Sequence, residues 1–436
     1  MKVNLNRIAV YLCIFSVIYT AGCKKEPPVT YPVITVDAPQ ENQVFTIPDT
    51  ISIHASILHN KPISFVSIAI VDMALTPVTT RYFLYPEMNN YEINSNIIIS
   101  NPEITSGNYY LHIRASDGSN ETNAYTKIYL YETPRILSDI FLITKNAYGT
   151  IDISSIDTAL MQQHLTNINT DFGFADVDPV NQLLYISGRY NSKLFCYNYN
   201  DKVVKWDVSV TGYPPSPYFN DLKVYNKKCY CVLRQNAIIA YNSQGLMVYN
   251  NPTSTERYPD KLHFHNNYLF TSQYAISGTN AFILLNYIES GGFYQMLLLN
   301  LKTIKFFSRD NNSVYIFANN ASDYGEIRIY DIESNGVWEP YNLTGGKLIA
   351  AEKVDNNTYL LAYENKVVKF TYNPIGAVDY CIANDILNLK FDDINQKLYI
   401  ITKNKKIKRY SYPFAQLEKE INVNDSICDI LLIYNK

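Results

Sequence analysis

The chain writes one phrase twice. "DVDPVNQLLYISGRYNSKLFCYNYN" runs from Asp176 to Asn200, and "FDDINQKLYIITKNKKIKRYSY" runs from Phe391 to Tyr412. Aligning Asn181-Gln182 with Asn395-Gln396 sets Leu184-Tyr185-Ile186 on Leu398-Tyr399-Ile400, and one residue of slippage then sets Asn191, Tyr197 and Tyr199 on Asn404, Tyr410 and Tyr412. Weaker copies lie between them, such as "LKVYNKKCYCVLRQNAIIAYN" from Leu222 and "VDNNTYLLAYENKVVKFTY" from Val354. Each unit reads as strand, polar turn, strand, polar turn, strand and a fourth strand. A four-stranded sheet recurring roughly every 35 to 46 residues cannot bury its faces alone, so the copies must stack on one another.

That spacing predicts an all-β chain whose residues 136–436 form a β-propeller. Full units begin near Thr170, Tyr218, Tyr258, Thr303, Leu348 and Asn384, and a partial unit from Asp139 lacks its first strand. The C-terminal "CDILLIYNK" repeats the opening of the last full unit, "NDILNLKF", and then stops. The simplest topology is a seven-bladed ring in which this last strand pairs beside Phe141 and removes the open edge; six or eight blades fit the same spacing. The repeats resemble those of seven-bladed propellers of the YVTN-like and quinoprotein-like group, a resemblance that implies a scaffold and no particular activity.

Residues 31–132 read differently. Short alternating stretches, among them "PVITVDAP", "TISIHASIL" and "NYYLHIRASD", predict a β-sandwich. Its ending, with Gly107-x-Tyr109 and the Asp117-Gly118 hairpin, resembles the last two strands of immunoglobulin-like or PKD-like modules, without the cysteine pair of antibody domains. Thr133-Pro134 marks the linker.

At the start of the chain, Lys2 and Arg7 precede an apolar run from Ile8 to Ile18, and Ala21-Gly22 stand before Cys23. The run is too short to span a bilayer and reads as a signal peptide over residues 1–22. The pattern resembles a bacterial lipobox, which implies lipid on Cys23 and a tether over 23–30; Thr20 stands where that motif usually has leucine. With the two domains behind it, the chain resembles the sandwich-plus-propeller lipoproteins of Bacteroidota. The resemblance implies the outer membrane, on its periplasmic or cell-surface side.

Composition narrows the partners. A net charge of -3 gives no reason to expect nucleic acid. The 39 tyrosines fit either a glycan-stacking surface or a codon bias. Cys196, Cys229, Cys231, Cys381 and Cys428 are an odd set without framework spacing, which favours buried thiols over a disulfide scaffold.

No P-loop, nucleophile elbow or His-Glu-x-x-His motif occurs, and no cofactor is implied. His263 and His265 share one face of an expected innermost strand, so they are weak metal candidates against an ordinary hydrogen-bonding role. Asp171, Asn220, Asp260, Asp385 and Asp429 fall at or near expected first strands, where carboxylates and amides could rim the channel mouth and bind a ligand; turn chemistry explains the same residues. The longer loops expected in "SQYAISGTNA" and "NYIESGGFYQ" are a further place to look for specificity. The expectation is a non-enzymatic envelope lipoprotein presenting its propeller to a protein or glycan partner. The alternatives are a propeller enzyme acting on a glycan, as a lyase or hydrolase, and a structural component of an envelope complex.

Overall fold

The computed structural model describes residues 31–146, 149–157, 160–210, 217–338 and 340–436; within them the chain is all-β and no helix occurs. The leader, Cys23 and the tether, read from residues 1–30, lie outside the described residues. The chain divides into two compact units, one up to Pro134 and one over Arg135–Lys436.

In the first unit, Val33–Ala38, Asp49–Leu58 and Asn90–Ile99 form one sheet. Gln43–Thr46, Glu121–Tyr131, Gly107–Ser116, Phe65–Val71 and Tyr82–Leu84 form the other, in that order. Alternation puts Ile51, Ile53 and Ile57 of one sheet in a common core with Val66, Ile68, Leu111 and Ile113 of the other. Two corners are tied by side chains. The Tyr109 hydroxyl donates to the Thr105 carbonyl at 2.9 Å, four residues upstream. Asp117 accepts the N–H groups of Asn120 and Ser119 at 2.6 and 2.8 Å, and its other oxygen meets His59 Nε2 at 3.0 Å.

Those bonds, led by the Asn120 N–H, hold the Asp117 carboxyl far below its ordinary value. Asp117→Ala is therefore expected to lower the melting temperature of this unit by about 5 °C or more. The sign in acid follows from the depressed pKa: the contribution is complete above the unfolded carboxylate's value near 3.9 and disappears as pH falls toward the folded one. Wild type and variant melting curves should converge in strong acid. Parallel curves from pH 7 to 2 would show that Asp117 contributes nothing through its charge.

The second unit consists of seven sheets among the described residues, each led by an inner strand: Ser426–Tyr434, Phe174–Asp178, Phe219–Tyr225, Arg257–His265, Lys302–Asp310, Ala350–Lys353 and Ile386–Asp392. Six of these strands open sheets whose other strands follow in chain order, whereas Ser426–Tyr434 pairs with Leu137–Lys145 from the other end of the unit. Leu431 stands opposite Phe141 in this pairing. Each inner strand touches the inner strand of the next sheet, and Ile386–Asp392 touches Ser426–Tyr434, which touches Phe174–Asp178, so the contacts close a cycle.

Packing follows strand position. Second strands such as Leu183–Ser187 are buried on both faces, which is why they read as unbroken apolar runs. The outer strand Val203–Ser209 has no neighbour on one side and alternates between exposed and half-buried residues. At one register position every second strand carries a buried aromatic ring: Phe141, Tyr185, Tyr230, Phe270, Tyr315, Tyr359 and Tyr399.

The doubled phrase is one turn built twice. Asp178 accepts from the backbone and side-chain N–H of Asn181 at 3.1 and 2.7 Å, and Asp392 does the same for Asn395 at 3.2 and 2.7 Å. Gln182 and Gln396 follow with φ of 56° and 54°, and their carbonyls receive the N–H of Tyr199 and Tyr412. The slippage lies in the next hairpin: Leu184 faces Tyr197 and Leu398 faces Tyr410, but the second copy connects the strands with one residue fewer.

Candidate functional site

The inner strands of the second unit line a cavity of about 530 Å³. Its charge comes from the strands themselves. Lys223, His263 and Lys390 occupy one register position, each opposite the aromatic residue of its second strand. Asp221, Lys261, Lys305, Glu352 and Asp429 also line the cavity, between aromatic and aliphatic walls that include Phe174, Phe264, Ile304 and Phe306.

The acids are committed. Asp221 accepts the N–H of Leu222 and, across to the next sheet, that of Leu262, each at 3.0 Å. Asp176 makes the same brace one sheet earlier, to Val177 and Val224. Glu352 receives Lys305 Nζ at 2.7 Å, and Asp429 receives Asn388 Nδ2 at 3.0 Å and Lys390 Nζ at 3.2 Å. Burial lowers the Lys305 pKa, with Glu352 opposing and the neighbouring Lys223 and Lys390 reinforcing the shift. Lys223 is also disfavoured by burial, but the carboxylates of Asp221, Asp176, Glu352 and Asp429 outweigh that and leave its pKa above the ordinary value. Its amine makes no hydrogen bond among the described residues.

The histidines share one hydroxyl. Ser308 Oγ lies 3.0 Å from His263 Nε2 and 2.8 Å from His265 Nδ1, while His265 Nε2 meets the Asn311 carbonyl at 3.2 Å. The Asn311 carbonyl only accepts, whereas the Asn266 amide nitrogen, 3.3 Å from the same Nε2, only donates, so either neutral tautomer of His265 finds a partner there and Ser308 turns its hydroxyl to match. No group of three or more His, Cys, Asp or Glu placed to hold a metal occurs among the described residues. Burial, then His265 and the amines of Lys223, Lys305 and Lys353, push the His263 pKa down from 6.5 to about 3.

The folded chain thus refuses a proton that the unfolded chain accepts, and this part of its stability is lost as pH falls from 6.5 toward 3. His263→Gln is expected to flatten the pH dependence of unfolding in that window by up to one proton. Equal slopes for wild type and variant would remove His263 as the cause.

The five expected rim residues are not gathered in this cavity; Asp429 alone lines it. Asp171 caps a turn, accepting the N–H groups of Arg189, Tyr190 and Asn191. Asn220 is buried and donates to the Pro259 carbonyl at 2.7 Å. Asp260 is half-buried, and its pKa is raised by that burial. Asp385 has φ of 59° and lines a separate cleft with Glu364, Asn365 and Lys403. The long loops expected in the fourth sheet shorten to residues 276–280 and 288–292, because the strands on either side run further. Cys229 and Cys231 face the same way, 4.0 Å apart, within an apolar cluster.

The cavity lysines are what reading the sequence missed. They lie inside strands, where a single charge carries no turn signature. The available signal was a charge at positions opposite a buried aromatic, Lys223 against Tyr230 and Lys390 against Tyr399.

No protein-family model matches the chain, and no curated protein does. Among solved structures, the crystal structure of the computationally designed Ika8 protein is similar over 67% of this chain and 89% of its own, at 16% identity with a TM-score of 0.48.

Proposed function

We propose that the chain is a lipid-anchored, non-enzymatic binding protein of the outer membrane, of the Bacteroidota type. In this reading Cys23 carries the lipid, residues 31–132 are an immunoglobulin-like spacer, and residues 136–436 are a seven-bladed β-propeller that meets a glycan or protein partner. The cycle of inner-strand contacts and the repeated aromatic position support the propeller. The Tyr109 to Thr105 bond, which resembles a tyrosine corner, supports the spacer.

One observation carries the choice of binding over catalysis. Each carboxylate lining the cavity is held by a backbone N–H pair or by a lysine, so no acid and base converge on a free space there. Mixed aromatic and polar walls are what a small-ligand site requires.

The test uses the full chain expressed with its own leader in a Gram-negative host. Wild type should partition with membranes and Cys23→Ser should not. The wild-type protein is then offered a panel of envelope glycans with products assayed, and binding without turnover is expected. Product formation from any glycan, or membrane partition that survives Cys23→Ser, would sink the corresponding half of the reading.

A further inference from the structure

Four lysines line the cavity, Lys223, Lys261, Lys305 and Lys390, against three carboxylates, those of Asp221, Glu352 and Asp429. Pairing does not distribute evenly. Lys305 and Lys390 each hold a carboxylate. Asp221 takes a backbone N–H on each oxygen and makes no hydrogen bond to an amine. Lys261 reaches only the Asn220 carbonyl, at 3.4 Å, with its amine 5.1 Å from the centre of the Phe174 ring. Lys223 has no hydrogen-bond partner among the described residues. Two ammonium groups therefore face the cavity without a hydrogen-bonded carboxylate: the surrounding acids stabilise the Lys223 charge only at a distance, and ammonium hydrogens are left for a ligand.

We propose that this cavity binds a small organic anion, its carboxylate or phosphate taken up by Lys223 and Lys261 and its carbon skeleton packed against Phe174 and Phe264. The inference rests on the reading of the cavity as the binding site and adds the ligand's chemistry. The volume, about 530 Å³, suits a ligand of roughly one or two sugar rings. Lysine acts here as a point charge, which suits either anion and does not demand the bidentate geometry that arginine would impose. Asp221 and Asp176 offset part of the positive charge, so a ligand with a single anionic group is favoured over a polyanion.

Calorimetry on the full chain in detergent, with glucuronate, glucose 6-phosphate and glucose as probes, tests this directly. At least one anion should bind ten times more tightly than glucose, and the better of the two identifies carboxylate or phosphate. Lys223→Met should weaken that binding about tenfold, and Lys261→Met about threefold. Should Lys223→Met fail to fold, the Lys261 variant decides. Glucose binding as well as either anion, neither anion binding at 10 mM, or both variants binding like wild type would each overturn the proposal. A glycan or protein partner bound by a chain that gives one of those outcomes would leave the proposed function standing while the anion inference fails; anion binding with no envelope partner would do the reverse.

Discussion

Removing residues 426–436 is expected to abolish the fold of the second unit while leaving the first intact. The deleted strand buries Ile427, Ile430, Leu431 and Ile433, each at most 7% exposed. At about 1.5–3 kcal/mol for each fully buried aliphatic side chain, their loss is roughly 6–12 kcal/mol, comparable to the whole stability of a domain. The deletion also bares one edge of Leu137–Lys145, whose N–H and carbonyl groups would template aggregation. It further takes away the Ser138 to Ile433 and Ile136 to Asn435 bonds that join the two ends of the unit. Calorimetry of the truncated chain should show one transition, from the first unit, whose core draws on that unit alone. A peptide of residues 426–436 added in trans should restore the second. A truncated chain that kept both transitions would mean that the final strand is an accessory.

The second large effect concerns the aromatic layer. Tyr359 is fully buried, with ring centres 4.9 Å from Phe317, 5.2 Å from Phe307 and 5.5 Å from Tyr315. Tyr359→Ala should cost about 3–5 kcal/mol, as large-to-small changes at packed aromatic sites do. Tyr359→Phe should behave in the opposite way. The hydroxyl is buried without a hydrogen-bond partner among the described residues, so deleting it removes a desolvated polar group and is expected to be neutral or to stabilise by up to about 1 kcal/mol. Denaturant midpoints for the two variants separate ring packing from hydroxyl chemistry. A Phe variant as damaged as the Ala variant would show that the hydroxyl holds a bond, for instance to a buried water.

The repeat was legible because its turns have local causes. Asn181-Gln182 and Asn395-Gln396 announce the same geometry twice, since an aspartate three residues before the asparagine must satisfy its backbone and the following residue must take positive φ. The pairing of the last strand beside Phe141 was legible for a related reason, as a partial unit at each end of the chain implies one shared sheet. Short edge strands were not: Gln43–Thr46 and Tyr82–Leu84 bury no residue fully, so they leave no periodic trace. The lysines at the cavity were hidden in another way. Whether a charge inside an apolar strand faces a partner, a bilayer or an enclosed space depends on contacts between sheets distant in sequence. Asp171 and Asp385 fall at turns whatever those contacts are, so their types reported local backbone need and said little about the cavity. Part of the tyrosine content has the same explanation, since Tyr185, Tyr230, Tyr315, Tyr359 and Tyr399 are core rings that no ligand reaches.

The joining of the two ends also sets a clock on how the protein can be made. Ser138 and Ile433 are bonded across 295 residues of chain, so the sheet of Leu137–Lys145, although among the first of its unit to emerge during synthesis, must wait for nearly the last residues before its inner edge is covered. At about 5–20 residues per second that wait is some tens of seconds. During it the nascent second unit cannot complete its cycle of inner-strand contacts, and the inner edge of Leu137–Lys145 stays open to any strand that can pair with it.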